Sequence, residues 1–149
     1  MIDLLFVRFM EPDDFSIISS LLEDYIQEVT DIDIDDDMTS DELLQAILAD
    51  NNQILIASLA DEIVGFSIIR LIEKKIGLIQ GIFVEQEHRG RGIGVRLLEL
   101  SEEVLGSQGA NVIMAEAVSS EGYYFMVKHG YKRIKDRTLA KGKKPPACA

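Results

Sequence analysis

The chain has 149 residues, of which 47% are hydrophobic and 28% are charged, and its formal net charge is −11. This composition is typical of a globular protein long enough to bury one core. No apolar run reaches the roughly 18 residues that span a bilayer, the start lacks a basic signal-peptide region, and a single cysteine, Cys148, excludes an internal disulfide. A cytoplasmic protein with no membrane partner is therefore expected.

The charge is unevenly distributed along the chain. Residues 1–50 contain 15 acids and one base, whereas residues 51–149 contain 11 acids and 14 bases. Nucleic acid is not expected as a partner, because a phosphate backbone requires a basic surface. The acidic half would instead attract a cationic ligand, and the second half an anionic one. The alternative for the acidic half is a solvated surface that only aids solubility.

Hydrophobic periodicity and turn residues predict the elements in chain order. The predicted strands are 4–9, 53–59, 63–72, 76–84, 111–118, 131–134 and 137–141. Helices are predicted from Pro12, from the capping box Thr39-x-x-Glu42, from Ile93, and from Ser119 or Ser120. Residues 60–62 form the predicted hairpin turn between the second and third strands. The order β-α-α-β-β-β-α-β-α-β, with one further strand, indicates a mixed α/β sheet in one domain, 1–141, followed by a mobile tail, 142–149.

The segment Arg89-Gly90-Arg91-Gly92-Ile93-Gly94 joins a predicted strand to a predicted helix. Glycines let the backbone approach a ligand, and the N–H groups that begin a helix attract an anion. A Walker A loop is excluded because no Gly-Lys-Ser/Thr ending is present. A dinucleotide fingerprint would require glycine at Val95; Glu116 lies near its expected acidic position, but the strand order does not alternate as that fold does. A glycine-rich turn without a ligand is the remaining alternative.

A further pattern, Arg/Gln-x-x-Gly-x-Gly/Ala, fits Arg89, Gly92 and Gly94. In this pattern and in the predicted order of their elements, residues 4–141 resemble the GCN5-related N-acetyltransferase (GNAT) superfamily. The resemblance implies a mostly antiparallel sheet of six to seven strands flanked by about four helices. It also implies acetyl-CoA as cosubstrate, its pyrophosphate on the N–H groups of residues 89–94 and its pantetheine arm along Ile82, Phe83 and Val84. Strand 111–118 would form the opposite wall.

The reaction that the resemblance implies is attack of an amine on a thioester. The amine must lose a proton, the oxyanion must be stabilised, and the leaving thiolate can take a proton from an acid. The backbone N–H of Val84 is the family-type oxyanion donor. The family pattern around the last helix puts Met126 at the usual tyrosine, and a thioether cannot donate a proton. Tyr123 and Tyr124 are therefore the candidate acids; catalysis without a dedicated acid, with both tyrosines only packing, is the alternative.

The general base is the second open question. Leu78 occupies the position where some family members carry a glutamate, so Glu116, on the next strand, is the candidate base. Gln80 could position a water but is not a base, whereas Glu28 and the acidic loop could contribute through water. His88 and His129 show no metal-binding spacing with cysteines or carboxylates, so no metal site is expected.

The acceptor is predicted from the acidic first half, because the first two helices line the acceptor side in the family. The acids of this segment are Glu23, Asp24, Glu28, Asp31, Asp33, Asp35, Asp36 and Asp37. We expect a cationic small molecule, polyamine- or aminoglycoside-like, and we expect neutralisation of Asp35–Asp37 to raise the acceptor KM alone. A protein N-terminus or lysine is the alternative acceptor, and a non-catalytic acyl-CoA-binding module is the alternative function. The resemblance also allows a homodimer.

Overall fold

The computed structural model describes residues 4–30, 39–73 and 75–142. The strands are β1 (Leu5–Phe9), β2 (Gln53–Leu59), β3 (Glu62–Glu73), β4 (Ile76–Val84), β5 (Val112–Glu116), β6 (Lys132–Lys135) and β7 (Thr138–Gly142). The helices are α1 (Phe15–Thr30), α2 (Ser40–Ala49), α3 (Ile93–Ser107) and α4 (Ser120–Lys128). The predictions about the acidic segment 31–38 and about the tail after residue 142 concern residues outside these ranges. None of the described helices is long and apolar enough to cross a membrane.

The seven strands form one sheet in the order β1-β2-β3-β4-β5-β7-β6. All neighbouring pairs are antiparallel except β4 and β5, which are parallel. The predicted mixed, mostly antiparallel sheet with four helices is thus confirmed. Because side chains alternate across a strand, β2 contributes Leu55 to one core and Ile54 and Ile56 to the other. The first core lies against α3 and α4, and the second against α1 and α2.

Two local signals in the sequence have clear structural counterparts. The side chain of Thr39 accepts a hydrogen bond from the backbone N–H of Glu42 at 3.1 Å and so caps α2. The turn between β2 and β3 is one residue shorter than predicted, because Glu62 already pairs with Leu59. Its two residues, Ala60 and Asp61, have φ of 50° and 69°, as the tight hairpin turn that matches strand twist requires.

The parallel pair of strands is where the sheet opens. β4 pairs with β5 only from Ile76 to Ile79, opposite Val112 to Ala115. On its other side β4 stays paired with β3 as far as Val84. The β3–β4 register shifts between the pairs Ile69–Ile79 and Ile68–Gly81, so Gln80 is the extra residue of a bulge, a feature that bends a strand. Beyond Ile79, β4 and β5 therefore separate and leave a wedge-shaped gap.

Candidate active site

A cleft of about 390 Å³ occupies the gap between β4 and β5. Its walls are the end of β4, the end of β5 and the residues that follow it, the glycine loop with the start of α3, and one face of α4. Tyr25 and Glu28 of α1 close it on the opposite side of the sheet from α3. The cleft thus contains the glycine loop and most of the candidate strand residues in one place.

Backbone donors of β4 face this cleft. The N–H of Glu85 donates to the carbonyl of Val64 at 2.8 Å. Hydrogen bonding alternates along an antiparallel ladder, so the N–H groups of Val84 and Ile82 point away from β3 and into the gap. The N–H of Phe83, between them, points toward β3 instead, and the Phe83 ring is buried in the core beneath α1. The gap edge of β4 can therefore accept an extended ligand as a further strand would be accepted.

The glycine loop provides a second set of donors. Gly90 and Gly92 have φ of 81° and 82°, a backbone conformation that residues with a Cβ rarely adopt. Both line the cleft, and apart from their chain neighbours no atom of the described residues lies within 4 Å of where a Cβ would stand on either of them. Ile93 and Gly94 begin α3 there, so the first N–H groups of that helix face the same space. This arrangement fits an anionic ligand such as a phosphate.

Arg89 is positioned by protein contacts on three sides. Its Nε donates to the carbonyl of Val84 at 2.8 Å, and its Nη2 donates to Glu28 at 2.6 Å. Its guanidinium also lies 5.6 Å from the centre of the Phe83 ring. The hydrogen bond to Glu28 is the main reason that the pKa of Arg89 is raised. Arg91, by contrast, is exposed and does not line the cleft.

The two tyrosines predicted as candidate acids lie away from the cleft. A helix presents residues three or four positions apart on one face, and the face of α4 at the cleft carries Gly122, Phe125 and Met126. Tyr123 packs against the core and Tyr124 is 69% exposed, and neither lines the cleft. That one of them replaces the missing tyrosine stays a prediction, whereas Met126 does line the cleft.

Two other ionisable side chains line opposite walls of the cleft. Glu116, the predicted base, is at the end of β5 and lines the cleft with an exposed carboxylate. Tyr25 of α1 lines the opposite wall. Burial, followed by the negative charges of Glu116 and Glu28, raises the pKa of Tyr25 to about 12. Tyr25 packs against the core beneath α1 as well, and the sequence did not single it out for this site.

An acidic hollow of about 740 Å³ adjoins the cleft. The two cavities share Glu28, Phe83, Arg89 and Glu121. The carboxylates that line the hollow are Asp24, Glu28, Glu85, Glu87 and Glu121. Burial and then repulsion from Glu62 raise the pKa of Glu85. The entrance beside the cleft is thus strongly acidic, and two of the five carboxylates, Glu85 and Glu87, come from the segment after β4, which sequence reasoning did not consider.

The histidines differ in their surroundings. The Nδ1 atom of His129 lies 2.8 Å from the carbonyl oxygen of Phe125. His88 lies beside Glu62 and Glu85, with ligand atoms of all three within 4.8 Å of one another. Sequence spacing did not indicate this group, because Glu62 is distant in sequence from His88; the absence of a metal site stays a prediction. Such a group has the donor types that bind a metal ion.

The comparisons with known proteins agree with this geometry. The chain matches the model of the acetyltransferase (GNAT) family over residues 16–131. A GNAT-family acetyltransferase from Staphylococcus aureus Mu50 superposes with a TM-score of 0.77 at 18% identity, over 95% of this chain and all of that chain (100%). PaiA N-acetyltransferase from Thermoplasma acidophilum, solved with coenzyme A, gives 0.76 at 17% identity, over 94% of this chain and 99% of that one.

A ribosomal-protein-alanine N-acetyltransferase from Brucella melitensis gives a TM-score of 0.72 at 15% identity, over 93% of this chain and 99% of that one. At these identities the likeness to solved structures shows the fold alone. No sequence among the curated proteins matches the chain.

Proposed function

The chain belongs to the acetyltransferase (GNAT) family, and we propose that it transfers the acetyl group of acetyl-CoA to the primary amine of a cationic small molecule. Membership of this family identifies the protein as an acyltransferase. The observation that carries the choice of acceptor is the acidic hollow, which opens onto the cleft and shares Glu28 and Glu121 with it. A basic peptide or a protein N-terminus is the alternative acceptor.

The cleft supports the binding of acetyl-CoA through main-chain groups. The N–H groups of residues 89–94 bind its pyrophosphate, with the left-handed conformations of Gly90 and Gly92 keeping that space open. The N–H groups of Ile82 and Val84 bind the pantetheine arm along the gap edge of β4. When bound, acetyl-CoA supplies a thioester that is activated toward attack by an amine.

The residues around the gap then serve the transfer. Glu116 takes a proton from the acceptor ammonium, directly or through a water, because an amine is a nucleophile only in its neutral form. The N–H of Val84 donates to the oxygen on which negative charge develops. The departing thiolate needs little help, because a thiol with a pKa of about 8.5 is a moderate leaving group. Transfer is direct, with both substrates bound together.

The acidic hollow holds the acceptor. Five carboxylates on one small surface raise the local concentration of a polycation and orient its ammonium groups, since like charges that line a cleft focus the field. Asp24 and Glu28 come from α1, the side on which the resemblance put the acceptor, and Glu85 and Glu87 come from the segment after β4. One amine held here would have the adjoining cleft, and hence Glu116, within reach.

The test is release of CoA from acetyl-CoA in the presence of polyamines, aminoglycosides, amino acids, lysine peptides or peptides with free N-termini. We expect release with cations that carry several charges. The double variant Glu85→Gln/Glu87→Gln should raise the KM of such an acceptor by roughly 10-fold, with the Kd of acetyl-CoA unchanged. Glu103→Gln, an exposed change on α3 outside both cavities, is the control. Selective release with neutral or peptide amines would refute the cationic small molecule.

A further inference from the structure

The hydroxyl of Tyr25 lies over Gly81 of β4, just beyond the point where β4 leaves β5. Its oxygen is 2.7 Å from the place that a Cβ on Gly81 would occupy. Gly81 follows the bulged residue of β4, two positions after the last pair with β5. A side chain at position 81 would displace the hydroxyl, so the glycine makes room for it. Ile82, whose N–H faces the gap, is the next residue along the strand.

The tyrosine ring is held in place by two aromatic neighbours. Its centroid is 5.8 Å from that of Phe66 and 5.8 Å from that of Phe83, both in edge-to-face geometry. Phe66 is fully buried in β3 and Phe83 is buried in β4. The ring therefore has little freedom to move, and its hydroxyl is a preorganised group rather than a mobile surface one.

The hydroxyl is available as a hydrogen-bond donor. Within the three described ranges of the chain, no hydrogen bond involves the Tyr25 hydroxyl, although it lines the cleft. Burial, followed by the negative charges of Glu116 and Glu28, raises the pKa of this hydroxyl, so it stays protonated at any physiological pH. A neutral donor with a fixed position in a cleft is suited to stabilise a developing negative charge.

We propose that Tyr25 is a catalytic residue that donates a hydrogen bond to the carbonyl oxygen of the acetyl thioester. This inference rests on the proposed function. Together with the N–H groups of β4, Tyr25 surrounds the oxygen on which charge develops. It is a side-chain donor on α1, whereas α4 contributes Met126 to the cleft.

A hydrogen bond suits Tyr25 better than proton transfer to the leaving sulfur. Proton transfer from a phenol with a pKa of about 12 to a thiolate whose acid has a pKa of about 8.5 is unfavourable. Its equilibrium constant is smaller than one by more than three orders of magnitude. The reaction is balanced without that proton. The acceptor nitrogen forms the N–C bond and the C–S bond breaks. The electron pair of the C–S bond leaves with the sulfur. Glu116 has already taken the first proton, from the ammonium, so the second proton that the nitrogen loses passes to solvent.

The test compares the binding of acetyl-CoA and of CoA to the whole protein by titration calorimetry, because only acetyl-CoA has the carbonyl. Tyr25→Phe keeps the ring and removes the hydroxyl. We expect it to weaken acetyl-CoA binding by roughly 3- to 10-fold, the worth of one hydrogen bond, and to leave CoA binding unchanged. With an amine identified by the panel above, we expect kcat to fall about 100-fold with little change in acceptor KM.

Two further variants keep the result interpretable. Gly81→Ala leaves the tyrosine in the chain but forces its hydroxyl out of place, so it should also lower the preference for acetyl-CoA over CoA. Tyr131→Phe, the same change at a tyrosine that does not line the cleft and whose hydroxyl donates to Glu102, should keep the preference and the kcat of the unaltered protein. If Tyr25→Phe keeps the full preference and kcat, the inference is overturned while the proposed function stands. If the unaltered protein binds no acetyl-CoA, both are overturned.

Discussion

The guanidinium of Arg89 joins Glu28 on α1 to the end of β4. Its Nη2 is 2.6 Å from the Glu28 carboxylate, and its Nε is 2.8 Å from the carbonyl oxygen of Val84. Arg89 is also the first residue of the glycine loop. One side chain therefore connects the helix proposed to hold the acceptor with the strand and the loop proposed to hold acetyl-CoA.

The first prediction concerns this connection. Arg89→Lys cannot reproduce two divergent N–H donors, because an ammonium lacks the planar fork of a guanidinium. We expect the Kd of acetyl-CoA, measured by calorimetry, to rise roughly 10-fold because the end of β4 and the loop lose a shared support. Glu28→Gln, which can still accept from Arg89, should change that Kd by less than about 3-fold, since the ion pair is partly exposed. Equal effects of the two changes would contradict this account.

The second prediction tests the glycine loop. Gly92→Ala puts a Cβ on a residue with φ of 82°, which costs about 1–2 kcal/mol of folding free energy. It also puts a methyl group into the open space where an anion would bind, so the Kd of acetyl-CoA should rise at least 10-fold. Gly142→Ala is the control, because its Cβ would meet open space without a left-handed backbone. Denaturant unfolding and calorimetry give the two quantities, and unchanged binding in Gly92→Ala would exclude this loop as the anion site.

Much of the fold could be predicted because its local signals agree with one another. The bounds of β2 and β4 match the predicted strands, since each is a continuous apolar run ended by turn residues. The glycine loop could be predicted as well, because positive φ at Gly90 and Gly92 depends on the absence of a Cβ and little else.

The candidate catalytic side chains could not be predicted in the same way. Which face of α4 meets the cleft depends on how that helix packs on the sheet, and neither tyrosine near the family position lines the cleft. The position of the Tyr25 hydroxyl depends on Gly81, a residue of another element that is distant in sequence. Periodicity within α1 only shows that Tyr25 is on the buried face.

The third prediction concerns the base. Glu116→Gln keeps the size of the side chain and removes its ability to take a proton. We expect kcat/KM for the amine to fall about 100-fold near pH 7, with less loss at higher pH, where more of the amine is already neutral. Acetyl-CoA affinity should not change. Steady-state kinetics between pH 6 and about 9.5 would check this, with Glu103→Gln as the control; a pH-independent loss would mean that Glu116 has another role.

The fourth prediction is a pH dependence of stability. Asp14 is only 7% exposed and accepts hydrogen bonds from both terminal nitrogens of Arg8, at 2.8 and 3.0 Å, and from the N–H of Glu11. The hydrogen bond to Arg8 is the main reason that the pKa of Asp14 is lowered from its usual 3.8. A lowered pKa contributes stability that is present above the usual value and is lost as the pH falls through the folded-state pKa.

We therefore expect Asp14→Asn to lower the free energy of unfolding by about 1.5 kcal/mol at pH 7, a modest figure because Arg8 is partly exposed. The difference from the unaltered protein should shrink as the pH falls below about 4. The exposed neighbour provides a matched variant, Asp13→Asn, which should differ little at either pH. A loss that stays constant down to pH 2.5 in urea titrations would show that charge is not its source.

The gap edge of β4 has a consequence for how the sequence can change. Its donors are main-chain N–H groups, which every residue except proline possesses, so Ile82 and Val84 can be exchanged for other apolar residues without loss of those donors. The stricter requirements at the cleft fall on glycines, at 81 for the tyrosine and at 90 and 92 for the loop. A library with random apolar residues at 82 and 84 should remain largely active, whereas one randomised at these three glycines should not.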